Sequence, residues 1–307
     1  MLALVADPDT EHGLALREVP DPEPGPDDAL VEQHATSINR GEVRRLSQRE
    51  PGFVTGWDVA GTVVRAARNG GPPEGARVTG IVRGGAWAER VAVPIDAIAE
   101  IPDDLSFAKA ATLPVAGVTA VRALAKGGLL LGKRVLITGG AGGVGRFAIQ
   151  LARRSGAHVT AVVGSPERGE GLDRLGADEV VVGFDQDGDR FDLILESAGG
   201  DSLAAALNRV TPLGTIVAFG NSSGDETSFN VSSFYNQPGA RLYGLMVFDE
   251  IHLQDSGPRD LRTLAELAAS GELDTEISLD ASWREPEEAM RALMDRRVSG
   301  KAVLHMH

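Results

Sequence analysis

The sequence predicts an α/β protein in two parts: a doubly wound parallel sheet and a β-rich domain of short strands. Three observations carry that prediction. At 307 residues the chain is too long for one compact core and suits two domains. Its first hundred residues are rich in Val, Gly and Pro, with short apolar runs broken by turns. From Arg134 onward, β-branched runs alternate with amphipathic stretches, the pattern of strands buried on both faces by helices.

Taken in order, Asp28–His34, Asp58–Arg65 and Ala76–Val82 read as strands. Asp21-Pro-Glu-Pro-Gly-Pro26 and Asn69-Gly-Gly-Pro-Pro73 supply the turn chemistry. Ser106 to Gly127 is Ala-rich and helical, with Pro114 as a local break. Arg134–Thr138 is a strand, Gly145–Ser155 a helix, Ala157–Val163 a strand, Gly169–Leu175 a helix and Glu179–Val182 a strand. Asp192–Glu196, Ser202–Val210 and Gly214–Phe219 continue the alternation. A helix over Pro258–Ser270, a strand over Glu276–Leu279, a helix over Pro286–Arg296 and a strand over Ala302–His305 close the chain. These signals divide it into 1–113, 114–248 and 249–307.

Composition narrows the function classes. Hydrophobic residues make up 42% and charged residues 24%, as in ordinary globular proteins. The formal charge of −14 repels phosphate backbones and anionic lipid, so neither nucleic acid nor a membrane is the expected partner. With no cysteine, disulfides and thiolate-based metal or nucleophile chemistry are excluded. Met1 to Asp9 lacks a basic start and a long apolar run, so the expectation is a cytoplasmic protein without a signal peptide.

The strongest local motif is Gly139-Gly140-Ala141-Gly142-Gly143-Val144-Gly145, set between a predicted strand and a predicted helix. Gly140, Gly142 and Gly145 satisfy G-x-G-x-x-G: a tight turn, bare backbone for a pyrophosphate, and close helix–strand packing. The helix mouth adds free N–H groups and the positive end of the dipole. A merely flexible loop is the competing reading, and the strand–loop–helix context argues against it.

About 20 residues on, such Rossmann folds choose between NAD and NADP. Gly164 stands where an NAD site carries a carboxylate, so nothing repels a 2′-phosphate there. Ser165 can donate to that phosphate and Arg168 can reach it with a charged fork. Such a bond nets ~1.5–3 kcal/mol, roughly a ten- to hundredfold preference. Alternatively Arg168 is a solvated residue at a helix start, and Glu167 beside it is a contrary sign.

With these residues in hand, the whole chain resembles the medium-chain dehydrogenase/reductase superfamily, in its zinc-independent quinone-oxidoreductase-like branch. The landmarks run in order: Ser37-Ile-Asn39-Arg-Gly41, Gly56-Trp57-Asp58-Val-Ala-Gly61, Gly75–Val78 with Gly85–Glu89, and Ala110–Pro114 with Gly117–Ala120. The glycine loop, Gln150-Leu-Ala152, Gly176-Ala-Asp178 and Gly300-Lys-Ala-Val-Leu304 complete them. The resemblance implies a GroES-like catalytic domain interrupted by a Rossmann NADPH-binding domain and completed by the C-terminal segment. It also implies that the positions binding catalytic zinc in related alcohol dehydrogenases read here Asn39 and Trp57-Asp58, with no structural zinc lobe. No metal site is therefore expected, and His305 and His307 read as a tail rather than ligands.

The resemblance further implies NADPH lying across a cleft between domains, with nicotinamide near Asn39, Thr119 and the strand Leu242–Phe248. Asn39 is the catalytic candidate, holding the nicotinamide or the substrate oxygen. An amide donates hydrogen bonds without transferring a proton, and a turn cap is its plainer role. The loop residues Gly140, Gly142, Gly143, Val144 and Gly145, with Ser165 and Arg168, are the expected cofactor contacts. Phe184, stacking on adenine or filling a strand-end core, joins them, as do Gly220 and Phe248 beyond the fifth and sixth strands.

Many relatives carry a tyrosine between the asparagine and Gly56, where this chain reads Glu42–Phe53. Its only tyrosines are Tyr235 and Tyr243, which leaves solvent to protonate an enolate. Arg44 and Arg45 are either a solvated helix face or an attraction for an anionic substrate. The expected activity is reduction of a small-molecule quinone or α,β-unsaturated carbonyl. The alternatives are an enoyl-thioester reductase and a catalytically silent NADPH-binding protein. Gly239–Val247 is expected as an edge strand that pairs two subunits into a homodimer.

Overall fold

The computed structural model describes residues 1–306. The chain forms two compact units, one of Met1–Val118 with the residues from Phe248 on, the other of Thr119–Val247.

The first unit opens with an antiparallel pair, β1 (Leu2–Ala6) and β2 (Leu14–Glu18). The long β3 (Asp28–Ile38) leads into a short helix, α1 (Arg40–Arg45), and β4 (Asp58–Arg65), β5 (Arg77–Ile81), β6 (Arg90–Pro94) and β7 (Ile98–Glu100) follow. Next come α2 (Phe107–Ala111) and a π-helical turn over Leu113–Gly117. The second unit then runs α3 (Val118–Ala125), β8 (Arg134–Thr138), α4 (Gly143–Arg154), β9 (His158–Val163), β10 (Glu179–Val182), β11 (Phe191–Glu196), α5 (Gly200–Arg209), β12 (Val210–Ala218), α6 (Val231–Tyr235) and β13 (Arg241–Gly244). After α7 (Val247–Leu253), the chain completes the first unit with α8 (Gly257–Ala269), β14 (Ile277–Ser282), α9 (Glu287–Met294) and β15 (Lys301–His305).

In the second unit six parallel strands stand in the order β10-β9-β8-β11-β12-β13. The order reverses between β8 and β11, which is where a doubly wound sheet opens a crevice at its carboxyl edge. The β-branched runs place Val135, Ile137, Val159, Leu193 and Val217 at essentially zero exposure. In the first unit the order is β14-β15-β3-β4-β5-β7, with β6 also paired to β3. Here β15, from the far end of the sequence, pairs antiparallel with β3, bringing Ala302 opposite Ile38.

Two expectations need correction. Gly169–Leu175 forms no α-helix: a 3-10 turn over Pro166–Gly169 is followed by further turns. Gly169, Gly171 and Gly176 lie in this short stretch; each glycine costs about 1 kcal/mol in a helix, and Gly171 and Gly176 adopt positive φ. The last parallel strand is shorter than Leu242–Phe248, because Val247 and Phe248 already belong to α7. At Pro114 the regular α-helix is interrupted: α2 ends at Ala111 and a π-helical turn over Leu113–Gly117 follows.

Candidate functional site

The first unit holds a buried polar cluster that begins with Asp58, the first residue of β4. Gly56 (φ +94°) precedes it; a Cβ there would come within 2.4 Å of the Trp87 main-chain nitrogen, so the chain can enter β4 along this path only with glycine. Asp58 has no solvent exposure. Its Oδ1 accepts the Val115 N–H at 2.8 Å. Its Oδ2 accepts the Ser37 hydroxyl and the Asn39 amide, the latter at 2.7 Å. Val115 can donate because it lies in the first turn of the π-helical stretch Leu113–Gly117, whose leading N–H groups have no partner within the helix.

Lys301, the first residue of β15 and 3% exposed, lies 3.6 Å from the same Oδ2 and donates to Asn39 Oδ1 at 2.8 Å. Glu42, on α1 and 2% exposed, accepts from the Asn39 main-chain N–H at 2.5 Å and from its amide at 3.3 Å. Burial, and then the neighbouring Asp58 carboxylate, push the Glu42 carboxyl well above its ordinary value. Burial pushes Lys301 down, opposed by Asp58 and Glu42. Both shifts run toward fewer uncompensated charges, as a dry interior favours. Glu42 Oε2 is buried without a hydrogen-bond partner.

This geometry fixes the Asn39 amide. Lys301 can only donate and so faces Oδ1; Asp58 accepts and so faces Nδ2. Both amide hydrogens point at carboxyl groups, and the unused capacity is a lone pair on Oδ1. Asn39 therefore presents an acceptor rather than the donor that holding a substrate oxygen requires. Close by, Trp57 meets Phe248 edge-on at 5.1 Å and 77°. The Arg45 guanidinium lies 5.6 Å from the Trp57 ring centre, and that of Arg83 lies 5.4 Å from the Phe248 ring centre. Arg45 is therefore more than a solvated charge.

In the second unit the glycine loop joins β8 to α4. Gly139 turns at φ +64°, and a Cβ on Gly145 would stand 2.4 Å from the Gly139 carbonyl oxygen and 2.7 Å from Gly140 Cα. Only glycine allows α4 to start this close to β8. The first bond of α4 runs from Arg146 N to Gly142 O at 2.9 Å, so the N–H groups of Gly143, Val144 and Gly145 have no partner within the helix. A Cβ on Gly142 meets only the Gly139 carbonyl at 3.3 Å, leaving its other side open for an anion.

Gly164, beyond β9, is exposed, with nothing within 4 Å of a Cβ. Packing does not exclude a carboxylate there; the chain simply lacks one. The Ser165 hydroxyl donates to Glu167 and holds its carboxylate below the ordinary range, so this donor is already engaged. Arg168 is half-buried in the 3-10 turn. Phe184 packs on the core around Phe191 and Leu207, with the Arg209 guanidinium 4.7 Å from its ring centre. Thr119 is buried in α3, and a Cβ on Gly220 would meet the Ser197 carbonyl at 2.9 Å. Phe248 sits in the first unit.

Sequence reasoning missed Glu42, Lys301 and Arg146. A single lysine opening the apolar run Ala302–Leu304 was a usable signal, since a buried ammonium demands a carboxylate. Glu42 offered none by itself. Among the described residues no group of three or more His, Asp or Glu could hold a metal ion, and His307 lies outside them. Nor is any helix long and apolar enough to cross a membrane.

A β-rich unit interrupted by a six-stranded dinucleotide-type unit is the architecture of a two-domain dehydrogenase/reductase. The chain matches the family described as "Alcohol dehydrogenase GroES-like domain" over residues 25–103 and that described as "Zinc-binding dehydrogenase" over 143–270. It is 32% identical over 320 residues to a chloroplastic quinone oxidoreductase of Triphysaria versicolor, covering 95% of this chain and 94% of that one. Its fold matches the quinone oxidoreductase from Coxiella burnetii with a TM-score of 0.82 at 26% identity, over 100% and 99% of the two chains. It matches a mycobacterial protein solved with NADPH with a TM-score of 0.88 at 25% identity, over 99% and 100%. The chain belongs to the medium-chain dehydrogenase/reductase superfamily, in its quinone-oxidoreductase-like branch.

Proposed function

We propose that this protein is a zinc-independent, NADPH-dependent reductase that delivers a hydride to a quinone or an α,β-unsaturated carbonyl. The observation that carries the reading is the open glycine backbone at the mouth of α4, followed by a Gly164 that leaves both room and no negative charge for a 2′-phosphate. The mycobacterial neighbour's NADPH and the names of the Triphysaria enzyme and of a tomato relative, a 2-methylene-furan-3-one reductase 37% identical over 187 residues, support it. That tomato match covers 52% of this chain and 48% of the relative. Zinc does not suit the donor set: there is no cysteine, Trp57 offers no ligand, and Asp58 already holds Ser37, Asn39, Val115 and Lys301.

NADPH supplies the hydride when bound. The N–H groups of Gly143, Val144 and Gly145, at the loop built by Gly140 and Gly142, would hold its pyrophosphate. Arg168 and Ser165 would take a 2′-phosphate. Phe184, Gly220, Thr119 and Phe248 would be its further contacts. Asn39, with its hydrogens committed to Asp58 and Glu42, would hold the nicotinamide as an acceptor. No tyrosine lies in Glu42–Phe53, where many relatives carry one, so water protonates the enolate. The β13 edge, with Leu242 47% exposed, pairs with a second copy to form a homodimer.

The test is NADPH oxidation by purified protein with a panel of quinones and enones. Steady turnover is expected with at least one class. Failure to bind NADPH defeats the reading, and tight binding without turnover makes the chain a silent cofactor-binding protein. Reduction of an enoyl thioester is the second reading, favoured by the exposed Arg45 beside Trp57. Crotonyl-CoA in the same assay separates the two.

A further inference from the structure

The turn that follows β9 is a poor electrostatic host for a 2′-phosphate by itself. Between Gly164 and Glu170 it carries one cation, Arg168, against two carboxylates, Glu167 and Glu170. The Ser165 hydroxyl favours the ionised form of Glu167. Asp173 and Arg174, a little further on, cancel each other. A phosphate bringing about −1.5 to −2 charges would meet a turn that is already net negative. The open space at Gly164 removes a steric obstacle and leaves the electrostatic one.

The missing positive charge lies behind the turn. Arg146, in the first turn of α4, is 7% exposed. Its Nε donates to the Ala141 carbonyl in the glycine loop at 3.3 Å, and its Nη2 reaches the Glu170 carbonyl at 3.5 Å. One guanidinium thus ties the pyrophosphate loop to the adenosine-ribose turn. For the fold alone this placement is unfavourable: a cation in the first turn opposes the helix dipole, and burying it costs solvation. A ligand with anions on both loops reverses that balance, because Arg146 stands between the two.

We propose that Arg146 is a specificity-determining residue that gives the site its preference for NADPH over NADH. The proposal rests on the reductase reading above. With Arg146 included, two cations face two carboxylates, and the turn is neutral before the 2′-phosphate arrives. NADH leaves only a ribose hydroxyl there and gains little from the extra charge. Arg146 acts on the phosphate through its field and through the position of the turn, so its signature is a change in the ratio of the two affinities. A brace for the loop would shift both affinities together.

The experiment is a fluorescence titration of NADPH and NADH against the wild type and the Arg146→Gln, Arg146→Lys, Glu167→Gln and Arg146→Gln/Glu167→Gln variants. Arg146→Gln is expected to weaken NADPH about tenfold while changing NADH by less than about threefold. Arg146→Lys keeps the charge and most of the ratio. Glu167→Gln, at an exposed position, raises the NADPH:NADH ratio, and the double variant returns toward the wild-type ratio. Equal weakening of both cofactors in Arg146→Gln, or no change in either, overturns the proposal. Should Arg146→Gln not fold, an unchanged ratio in Glu167→Gln with equal losses in Arg146→Lys overturns it as well. A wild-type protein that binds neither dinucleotide fails earlier, defeating the reductase reading and this proposal with it.

Discussion

Asp58 in the first unit spends its carboxylate on Ser37, Asn39, Val115 and Lys301, all within the protein. Gly143, Val144 and Gly145 in the second unit keep three N–H groups that the helix itself cannot use. One region is a polar cluster closed on itself; the other is bare backbone open to an anion. The difference teaches where each kind of chemistry is affordable. Side-chain charges buried in the β-rich unit must neutralise one another, whereas the helix mouth gains a partial positive charge from peptide dipoles without burying an ion.

The largest effect should come from closing the open region. Gly145→Val places side-chain atoms where a Cβ alone would stand 2.4 Å from the Gly139 carbonyl oxygen. NADPH binding by calorimetry should fall by more than about 100-fold, roughly the loss of two charge-assisted hydrogen bonds. Circular dichroism should stay close to wild type. Near-normal affinity would show that the loop is not the phosphate site.

Opening the closed region should cost stability first. Lys301→Met leaves the Asp58 carboxylate buried without its cation, a loss of about 3–5 kcal/mol by denaturant titration. A loss below ~1 kcal/mol would mean that the ion pair does not organise the cluster.

Glu42 sharpens the comparison through pH. Its folded carboxyl holds a proton more tightly than the unfolded chain does. The stabilisation is therefore complete below the ordinary glutamate range and is lost as pH rises through the raised folded value. Lys301, pushed down by burial, has the opposite slope in the window below the ordinary lysine range. Glu42→Gln removes the first slope alone. Near neutral pH it should sit within about 1 kcal/mol of wild type, and above that it should lose less stability than wild type as pH rises. Parallel pH–stability curves for the two proteins would mean that Glu42 is ionised.

The smallest folding effect belongs to the outer edge of the parallel sheet. Leu242→Arg, at a position 47% exposed, should change stability by less than about 0.5 kcal/mol. It should nevertheless convert a dimer to a monomer in sedimentation. An unchanged sedimentation profile would place the subunit contact elsewhere, or nowhere.

Much of the second unit was legible because its signals are local. β-branched runs, G-x-G-x-x-G and the glycine at 164 each report on a stretch of a few residues. The failures there were local as well: Gly169, Gly171 and Gly176 outweighed an amphipathic pattern, and the 242–248 run carried no mark of where a strand becomes a helix. The first unit hides its site better. Lys301 and Asn39 are 262 positions apart and meet because β15 pairs with β3. Asn39 was legible as a residue that holds the nicotinamide or a substrate oxygen, but which way its amide faces depends on partners that spacing does not reveal.

By itself, then, the sequence determined the α/β class, the glycine loop between β8 and α4 and the absence of a carboxylate at position 164, since bare backbone and missing side chains follow directly from residue identity. Only the tertiary structure decided that the Asn39 amide hydrogens face Asp58 and Glu42, that burial raises the Glu42 carboxyl and that Arg146 joins two loops. Those properties belong to charges brought together out of water, and such proximity exists only once the sheets have paired.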